Sequence, residues 1–276
     1  MESITGIPEL RRRLSACGRI ALVPTMGNLH DGHLALIGMA REHGDCVVAS
    51  IFVNPLQFGA NEDLANYPRT LQADCEKLSQ AGTDIVFTPE ESGLYPRPQT
   101  VHVEPPPIAD DLCGARRPGH FRGVCTVVAK LFNIVRPEVA IFGKKDYQQL
   151  FILREMVRQL DMPVNVLAGD TVREIDGLAM SSRNGYLKQA QRLEAPRLHR
   201  ALQLLVQAVG QGRRDFSALE AQTAQYLTQL GWIVDYIAVR SASTLLTPES
   251  DERRLVVLGA ARLGTTRLID NIEFAL

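Results

Sequence analysis

The hydrophobic positions in the first part of the chain fall into short apolar runs separated by amphipathic stretches. Runs rich in Val, Ile and Ala predict buried β-strands at residues 20–25, 46–53, 84–87, 139–142 and 164–167. Between these runs, apolar residues at helical spacing predict helices at residues 34–43, 70–81, 124–135 and 147–160. Short apolar strands that alternate with helices are typical of an α/β fold, in which helices cover both faces of a parallel sheet.

The pattern changes from about Thr171 onward. A polar loop is followed by predicted helices and then by two predicted strands, at residues 189–211, 216–230, 233–239 and 255–261. This order predicts a smaller α+β domain. A chain of 276 residues suits two domains of unequal length, which we place at 1–171 and 172–276.

Composition narrows the class of protein. The chain carries 30 Lys and Arg against 31 Asp and Glu, whereas nucleic-acid binders usually have a strong basic excess, so no nucleic-acid partner is expected. No segment approaches roughly 18 uninterrupted apolar residues, so no membrane span is expected either. The five cysteines are odd in number and lack C-x-x-C spacing, which favours free thiols and a cytoplasmic protein.

The end of the first predicted strand carries the most informative motif, H-x-G-H, formed by His30, Gly32 and His33. A helix that begins there offers free N–H groups and a positive dipole end to a phosphate, and the imidazoles add hydrogen-bond donors. Gly27 and Gly32 allow a close backbone approach. Solvated or capping histidines are the alternative, and a zinc site is weaker because no further ligand is evident.

Polar residues also follow two other predicted strands. Asn54 and Gln57 follow the second strand, where a neutral amide can both donate to and accept from a ligand, although Asn-Pro is also an ordinary turn signal. Lys144, Lys145 and Asp146 follow the strand at 139–142. A lysine there can meet a phosphate, and the aspartate can cap a helix or contact a ribose.

Ser181, Ser182 and Arg183 lie in the segment between the two predicted domains. Their hydroxyls and guanidinium suit phosphate oxygens, and a loop between domains can close over a nucleotide. The chain has neither a G-x-x-x-x-G-K-[ST] string nor a G-x-G-x-x-G string, which disfavours a Walker site and a dinucleotide site.

Taken together, these motifs closely resemble the pantothenate synthetase family, within the nucleotidyltransferase-like superfamily that has HIGH-type and KMSKS-type motifs. The resemblance covers essentially the whole chain. The segments that carry it are residues 24–33, 50–58, 67–70, 117–124, 142–149, 180–186 and 267–271.

The resemblance implies a Rossmann-like domain with a smaller C-terminal α+β domain that closes over ATP. It also implies an enzyme that condenses (R)-pantoate with β-alanine through a pantoyl-adenylate, with release of AMP and pyrophosphate. Mg²⁺ would accompany ATP, and the protein would be a homodimer through its larger domain.

The resemblance also assigns residues. It implies that His33 is the catalytic imidazole, with His30 and Lys145 beside it, and that Gln57 and Gln149 bind pantoate, Gln57 also meeting β-alanine. Asn54 and Arg117 would line the site less directly. The implied ATP contacts are Met26, Gly27, Asn28, Leu29, His30, Asp31, Gly32, His33, Gly143, Lys144, Lys145, Asp146, Val172, Met180, Ser181, Ser182 and Arg183.

One residue departs from the family pattern. Lys144 stands where the family usually has Glu, which reverses a charge beside the expected phosphates. We expect its side chain to face away from the site, so that it contributes only backbone to nucleotide binding.

Two other functions remain open from the residues alone. A nucleotidyltransferase that leaves the nucleotide on its product fits the H-x-G-H turn equally well. The neutral pair Gln57 and Gln149 argues against the phosphorylated acceptor that such an enzyme would need. A non-catalytic nucleotide-binding module is the third possibility.

Overall fold

The computed structural model describes residues 1–60 and 62–276. Its strands are β1 (Glu2–Ile4), β2 (Ile20–Thr25), β3 (Cys46–Ile51), β4 (Ile85–Phe87), β5 (Val139–Gly143), β6 (Asn165–Gly169), β7 (Ile233–Ser241), β8 (Arg254–Leu263) and β9 (Thr266–Ala275). Its α-helices are α1 (Ile7–Leu14), α2 (Asp31–His43), α3 (Leu71–Ala81), α4 (Glu91–Leu94), α5 (Cys113–Arg116), α6 (His120–Val135), α7 (Tyr147–Gln159), α8 (Gln189–Glu194), α9 (Arg197–Gly210) and α10 (Phe216–Gln229).

The first six strands form one parallel sheet in the order β1-β4-β3-β2-β5-β6. Strand β2 lies inside the sheet, with β3 on one side and β5 on the other. From β2 the chain continues to β3 and β4 on one side, whereas β5 and β6 lie on the other side. The strand order therefore switches between the adjacent strands β2 and β5. Ligands of open α/β sheets bind beyond the C-terminal strand ends at such a switch point.

Apolar side chains on both faces hold this sheet between helices. Val23 packs with Ile37 of α2 and Leu78 of α3 on one face, and all three are fully buried. Leu22, the preceding residue on β2, points to the opposite face and packs in the cluster formed by α1, α6 and α7. Neighbouring positions on both faces are buried, which explains why these strands appear in the sequence as uninterrupted apolar runs. The predicted α/β sheet is confirmed.

The last three strands form a small antiparallel sheet in the order β7-β8-β9. Helices α9 and α10 cover one face and bury Leu202 and Trp232 there. On the other face, Leu258 packs with Tyr147 of α7, which joins the small sheet to the parallel-sheet half of the protein. The predicted smaller α+β part is confirmed, but it has three strands where two were predicted.

Several elements differ from the sequence prediction. Strand β9 was not predicted because polar and charged residues occupy one of its faces, and the short elements β1 and α1 were also missed. The single predicted helix at 189–211 is two helices, α8 and α9, with Pro196 between them. Proline lacks a backbone N–H and interrupts a continuous helix at this point. Within residues 1–60 and 62–276, no helix combines the length and the apolar character that a membrane crossing requires.

Candidate active site

A cavity of about 220 Å³ lies at the C-terminal ends of β2, β3, β5 and β6, at the switch point of the sheet. A larger cavity of about 510 Å³ adjoins it and shares Lys145, Asp146, Ser181 and Arg183 as walls. Most of the predicted site residues line the smaller cavity; these are Met26, His30, Gly32, His33, Gln57, Gly143, Lys145, Asp146, Gln149, Val172, Met180, Ser181, Ser182 and Arg183. The strand order brings these segments together, although they are far apart in sequence.

Four predicted residues of the first turn are not in the lining of the smaller cavity. Leu29 is buried in the core between the sheet and α2, and Asp31 is exposed as the first residue of that helix. Gly27 and Asn28 have positive φ angles of 85° and 50°, and they shape the turn that leads to the helix. Asparagine and glycine tolerate this left-handed region better than other residues do.

The carboxylate of Asp74, on α3, holds this turn in place. Its oxygens accept hydrogen bonds from the backbone N–H of Asn28 at 2.9 Å and of Leu29 at 2.8 Å, and the side chain is 1% exposed. The ammonium of Lys77 donates to the Leu29 carbonyl at 2.6 Å. Sequence reasoning missed Asp74. The available signal was its position four residues before the buried Leu78, on the buried face of the predicted helix.

The two histidines of the motif have lowered pKa values and are neutral near pH 7. Burial lowers the pKa of His33 to about 4, with Lys145 adding to the effect. Burial, His33 and Lys145 together lower the pKa of His30 to about 3. The Nδ1 atom of His33 accepts a hydrogen bond from the backbone N–H of His30 at 3.3 Å. Neutral His33 therefore carries its proton on Nε2, and this nitrogen is the donor available to a ligand.

The ring of His30 has a buried polar atom packed against Gly32. Its Nδ1 is buried, and no side chain or backbone group in the described ranges forms a hydrogen bond with it. Gly32 lies against this ring, and a Cβ atom at that position would be 2.9 Å from Nδ1. The glycine of H-x-G-H is therefore required for the close packing of the histidine ring as well as for backbone approach.

Loop 180–183 contacts the first turn directly. The hydroxyl of Ser182 donates to the carbonyl of Asn28 at 3.0 Å, and the side-chain amide of Asn28 donates to the carbonyl of Ser182 at 3.2 Å. The guanidinium of Arg183 forms two hydrogen bonds with Asp63, at 2.9 and 3.0 Å. The arginine predicted to bind phosphate is therefore paired with a carboxylate, in the bidentate geometry that phosphate also accepts.

A relay of side chains orients the amide of Gln57. The hydroxyl of Tyr95 donates to Oδ1 of Asn54 at 2.9 Å, and Nδ2 of Asn54 donates to Oε1 of Gln57 at 3.0 Å. The NH₂ group of Gln57 then points toward Met26, with its nitrogen 3.1 Å from the sulfur. Gln57 therefore presents donors to the cavity, and Asn54 and Tyr95 fix that orientation. Sequence reasoning gave Asn54 an indirect role and missed Tyr95.

Helix α6 holds the backbone of Gln57. The carbonyl oxygen of Gln57 lies 2.8 Å from Nδ1 of His120, so this nitrogen is the protonated donor. Nε2 of His120 then accepts from Arg117 at 2.9 Å. Gly123 allows the close approach of α6, because a Cβ atom there would collide with the carbonyl of Leu56. The motif at residues 117–124 thus supports the cavity wall that carries Gln57.

The departure at residue 144 has a structural explanation. The Lys144 ammonium lies 2.8 Å from a carboxylate oxygen of Asp170 and 3.1 Å from one of Glu273. These contacts raise the pKa of Lys144, the hydrogen bond to Asp170 contributing most. The side chain is not in the lining of the 220 Å³ cavity, whereas its neighbours Gly143 and Lys145 are. The Lys144 ammonium is therefore paired with two carboxylates, one of which, that of Asp170, belongs to the cavity wall.

Comparison with known proteins identifies the family. Residues 2–273 match the sequence model of the family described as pantoate-β-alanine ligase. The pantothenate synthetase of Methylobacillus flagellatus is 64% identical over 275 residues, which cover 100% of this chain and 99% of that protein. The pantothenate synthetase of Thiobacillus denitrificans is 58% identical over 274 residues, with coverages of 99% and 97%.

Solved structures agree with this match. The pantothenate synthetase of Thermus thermophilus superposes with a TM-score of 0.92 at 43% identity, covering 99% of both chains. The pantoate-β-alanine ligase of Francisella tularensis, solved with "Beta-gamma ATP" and β-alanine, superposes with a TM-score of 0.80 at 31% identity, covering 99% of this chain and 97% of that one. The chain belongs to the pantoate-β-alanine ligase family.

Proposed function

We propose that this chain uses ATP to join pantoate to β-alanine, through a pantoyl-adenylate, and releases AMP and pyrophosphate. One observation carries the proposal. A single cavity at the switch point of the sheet is lined by the H-x-G-H turn, by loop 180–183 and by the amide pair Gln57 and Gln149. These are the groups needed to hold a triphosphate beside a small, hydroxyl-bearing carboxylate.

In the first step, a carboxylate oxygen of pantoate attacks the α-phosphorus of ATP, and the bond to pyrophosphate breaks. The carboxylate is already ionised near neutral pH, because such acids have a pKa of about 4, so no general base is required. The main barrier is charge repulsion between an anion and a polyanion. Nε2–H of His33, the Lys145 ammonium and the Arg183 guanidinium are the groups we assign to stabilise the developing charge.

The two histidines act as neutral hydrogen-bond donors in this proposal. Their lowered pKa values mean that neither ring is a cation near pH 7. Positive charge at the phosphates then comes from Lys145 and Arg183. A bound phosphate would raise both histidine pKa values, because an anion stabilises the protonated ring.

The pantoate end of the cavity combines amides with apolar side chains. Gln57 and Gln149 supply hydrogen bonds for the hydroxyl and carboxylate groups of pantoate. The walls beside them are apolar and suit its two methyl groups; they include Val124, Val127, Val128, Leu131 and Phe142. This combination of a few placed polar groups with apolar walls is typical of small-molecule sites.

In the second step, the amine of β-alanine attacks the acyl carbon, and the bond to AMP breaks. The amine loses a proton in this step. His30 lines the cavity, but its pKa of about 3 makes it a weak base until a phosphate is bound. We therefore place His30 beside the reaction and assign the proton to no residue.

Mg²⁺ fits this site as a companion of ATP. Among the described residues, no group of three or more His, Cys, Asp and Glu side chains could hold a metal ion. Mg²⁺ commonly binds through substrate phosphates and one or two carboxylates, and Asp146 and Asp170 line the cavity. When bound to ATP, the ion would neutralise charge on the phosphates.

The remaining parts of the proposal concern organisation. We propose that residues 1–171 bind pantoate and most of ATP, and that residues 172–276 close over the nucleotide through loop 180–183. The reciprocal bonds between Asn28 and Ser182 support this closure. A homodimer and a cytoplasmic location complete the proposal; all five cysteines are free, as in proteins of reducing compartments.

Product analysis tests the proposed function. Purified protein is supplied with ATP, Mg²⁺, pantoate and β-alanine, and the nucleotide products are separated by chromatography. The proposal requires one AMP and one pyrophosphate for each pantothenate formed. A nucleotide retained on the acid product would support the nucleotidyltransferase alternative, and ATP binding without pyrophosphate release would support the binding module.

A further inference from the structure

The strand motif at residues 267–271 has no part in the chemistry above, yet it belongs to the segments shared with the family. It lies on β9, at the edge of the small antiparallel sheet. Alternate residues of a strand point to opposite faces. Asn271 and Glu273 therefore face the parallel-sheet half of the protein, while Asp270 and Ile272 lie on the other face.

Asn271 contacts the segment that carries Lys145. Its side-chain nitrogen donates to the carbonyl of Lys144 at 2.9 Å and to the carbonyl of Lys145 at 3.0 Å. The residue is 6% exposed. Both amide hydrogens are thus used on the 3₁₀ turn Lys144–Asp146, which presents Lys145 and Asp146 to the cavity.

Asp270 contacts Arg173, the neighbour of Val172, which is one of the residues expected to bind ATP. Its carboxylate accepts two hydrogen bonds from the guanidinium of Arg173, at 2.7 and 2.8 Å, and lies 3.0 Å from Nδ1 of His199. Arg173 directly follows Val172, whose carbonyl accepts from the backbone N–H of Met180 at 3.0 Å. The same carboxylate also accepts from the backbone N–H of Asn271 at 2.7 Å.

We propose that Asp270 and Asn271 are positioning residues for adenylation. Together they fix the distance between the turn that carries Lys145 and the segment at Val172. They do so from strand β9, in which Asn271 is 126 residues away from Lys145 in sequence. Neither residue is in the lining of the 220 Å³ cavity, and only Asp270 is in that of the adjoining 510 Å³ cavity. Asn271 therefore acts on the smaller cavity through the two carbonyls that it holds. This inference rests on the proposed function and gives the motif at 267–271 a role in it.

The arrangement predicts which kinetic constant changes. Lys145 stabilises charge that develops during attack on the α-phosphorus, so its displacement lowers kcat. Pantoate is held by Gln57 and Gln149, which Asn271 does not contact. A displacement of about 1 Å at a catalytic group costs on the order of 100-fold in rate. Loss of the Asn271 side chain should therefore lower kcat strongly and leave the KM for pantoate nearly unchanged.

The test compares Asn271→Ala and Asn271→Ser with Ile272→Val. Serine is small and polar but too short to reach both carbonyls, so it provides a second variant if alanine prevents folding. Ile272 is the next residue on the opposite face, packed against the helices of the small sheet, and serves as a matched control for strand destabilisation. Pantoate-dependent AMP formation and thermal unfolding are measured for each variant.

We expect kcat to fall by about 10- to 100-fold in both Asn271 variants, with the pantoate KM within about twofold of the original value and Ile272→Val unaffected. The inference is overturned if a folded Asn271 variant keeps its kcat, or if kcat falls equally in Ile272→Val. The unsubstituted protein separates the two proposals. If it makes no AMP from ATP, pantoate and β-alanine, the proposed function fails; if it does so and the Asn271 variants match it, only the positioning role fails.

Discussion

Asp74 gives the sharpest test of how the first turn is built. Its carboxylate accepts two backbone hydrogen bonds from Asn28 and Leu29, and one from the hydroxyl of Thr70 at 3.0 Å. Replacing Asp74 by Asn removes one oxygen and places an NH₂ group against one of the two backbone donors. The buried turn then lacks an acceptor for one N–H.

The structure sets the size of the effect. Hydrogen bonds to a charged group are worth roughly 1.5 to 3 kcal/mol, and a buried donor left unsatisfied costs about 1 to 3 kcal/mol. We expect Asp74→Asn to lower the free energy of unfolding by about 2 to 4 kcal/mol. The turn also carries His30 and leads into His33, so we expect kcat for AMP formation to fall on the order of 100-fold.

Denaturant unfolding and steady-state AMP formation measure the two quantities. Glu76→Gln is the matched control, because Glu76 is an exposed carboxylate two residues away on the same helix. Such a surface substitution usually changes the free energy of unfolding by less than about 0.5 kcal/mol. If Asp74→Asn keeps both the stability and the kcat of Glu76→Gln, the carboxylate does not hold the turn and this reasoning is wrong.

Three further results follow from contacts in and near the cavity. Tyr95→Phe removes the hydrogen bond that orients Asn54 and should raise the pantoate KM several-fold while the ATP KM stays constant; equal changes in both would contradict the relay. Asp63→Asn should lower the ATP KM several-fold, because Arg183 no longer has a carboxylate to leave before it binds phosphate; an unchanged or higher ATP KM would count against that pairing. Burial, and to a smaller extent the charge of Arg117, lowers the pKa of His120 to about 4. Between about pH 6.5 and 4, His120 is therefore protonated more readily in the unfolded chain than in the folded protein. Stability from this group is therefore complete above about pH 6.5 and is lost as the pH falls. Between about pH 7 and 5, the free energy of unfolding should fall by about 1 to 2 kcal/mol because of His120. In His120→Gln, the fall in this free energy over the same pH range should be smaller by that amount.

The sequence predicted the parallel sheet well for a physical reason. Strands β2, β3 and β5 are buried on both faces, so they appear as continuous apolar runs that need no tertiary information. Strand β9 was missed because one of its faces holds Asn271 and Glu273, which contact the other half of the protein instead of a hydrophobic core. A strand whose polar face is satisfied by distant groups has no local signature.

The same distinction applies to the site. The groups that follow strand ends were predictable, because parallel strands bring their C-terminal ends to one edge of the sheet. The positioning residues Asp74, Tyr95 and Asn271 could not be predicted, because each contacts a residue far away in sequence. The separations are 46, 41 and 126 positions, respectively. Such residues position the predicted groups through contacts that only the folded chain creates.

Exchange of labelled pyrophosphate into ATP tests the central claim most directly, because it isolates adenylation from the amine step. The protein is incubated with ATP, Mg²⁺, labelled pyrophosphate and pantoate, in the absence of β-alanine. Label should enter ATP only when pantoate is present, and His33→Ala should reduce the rate by on the order of 100- to 1000-fold while its unfolding curve remains cooperative. Exchange without pantoate, no exchange by the unsubstituted protein, or an undiminished rate in folded His33→Ala would contradict adenylation of pantoate at this cavity.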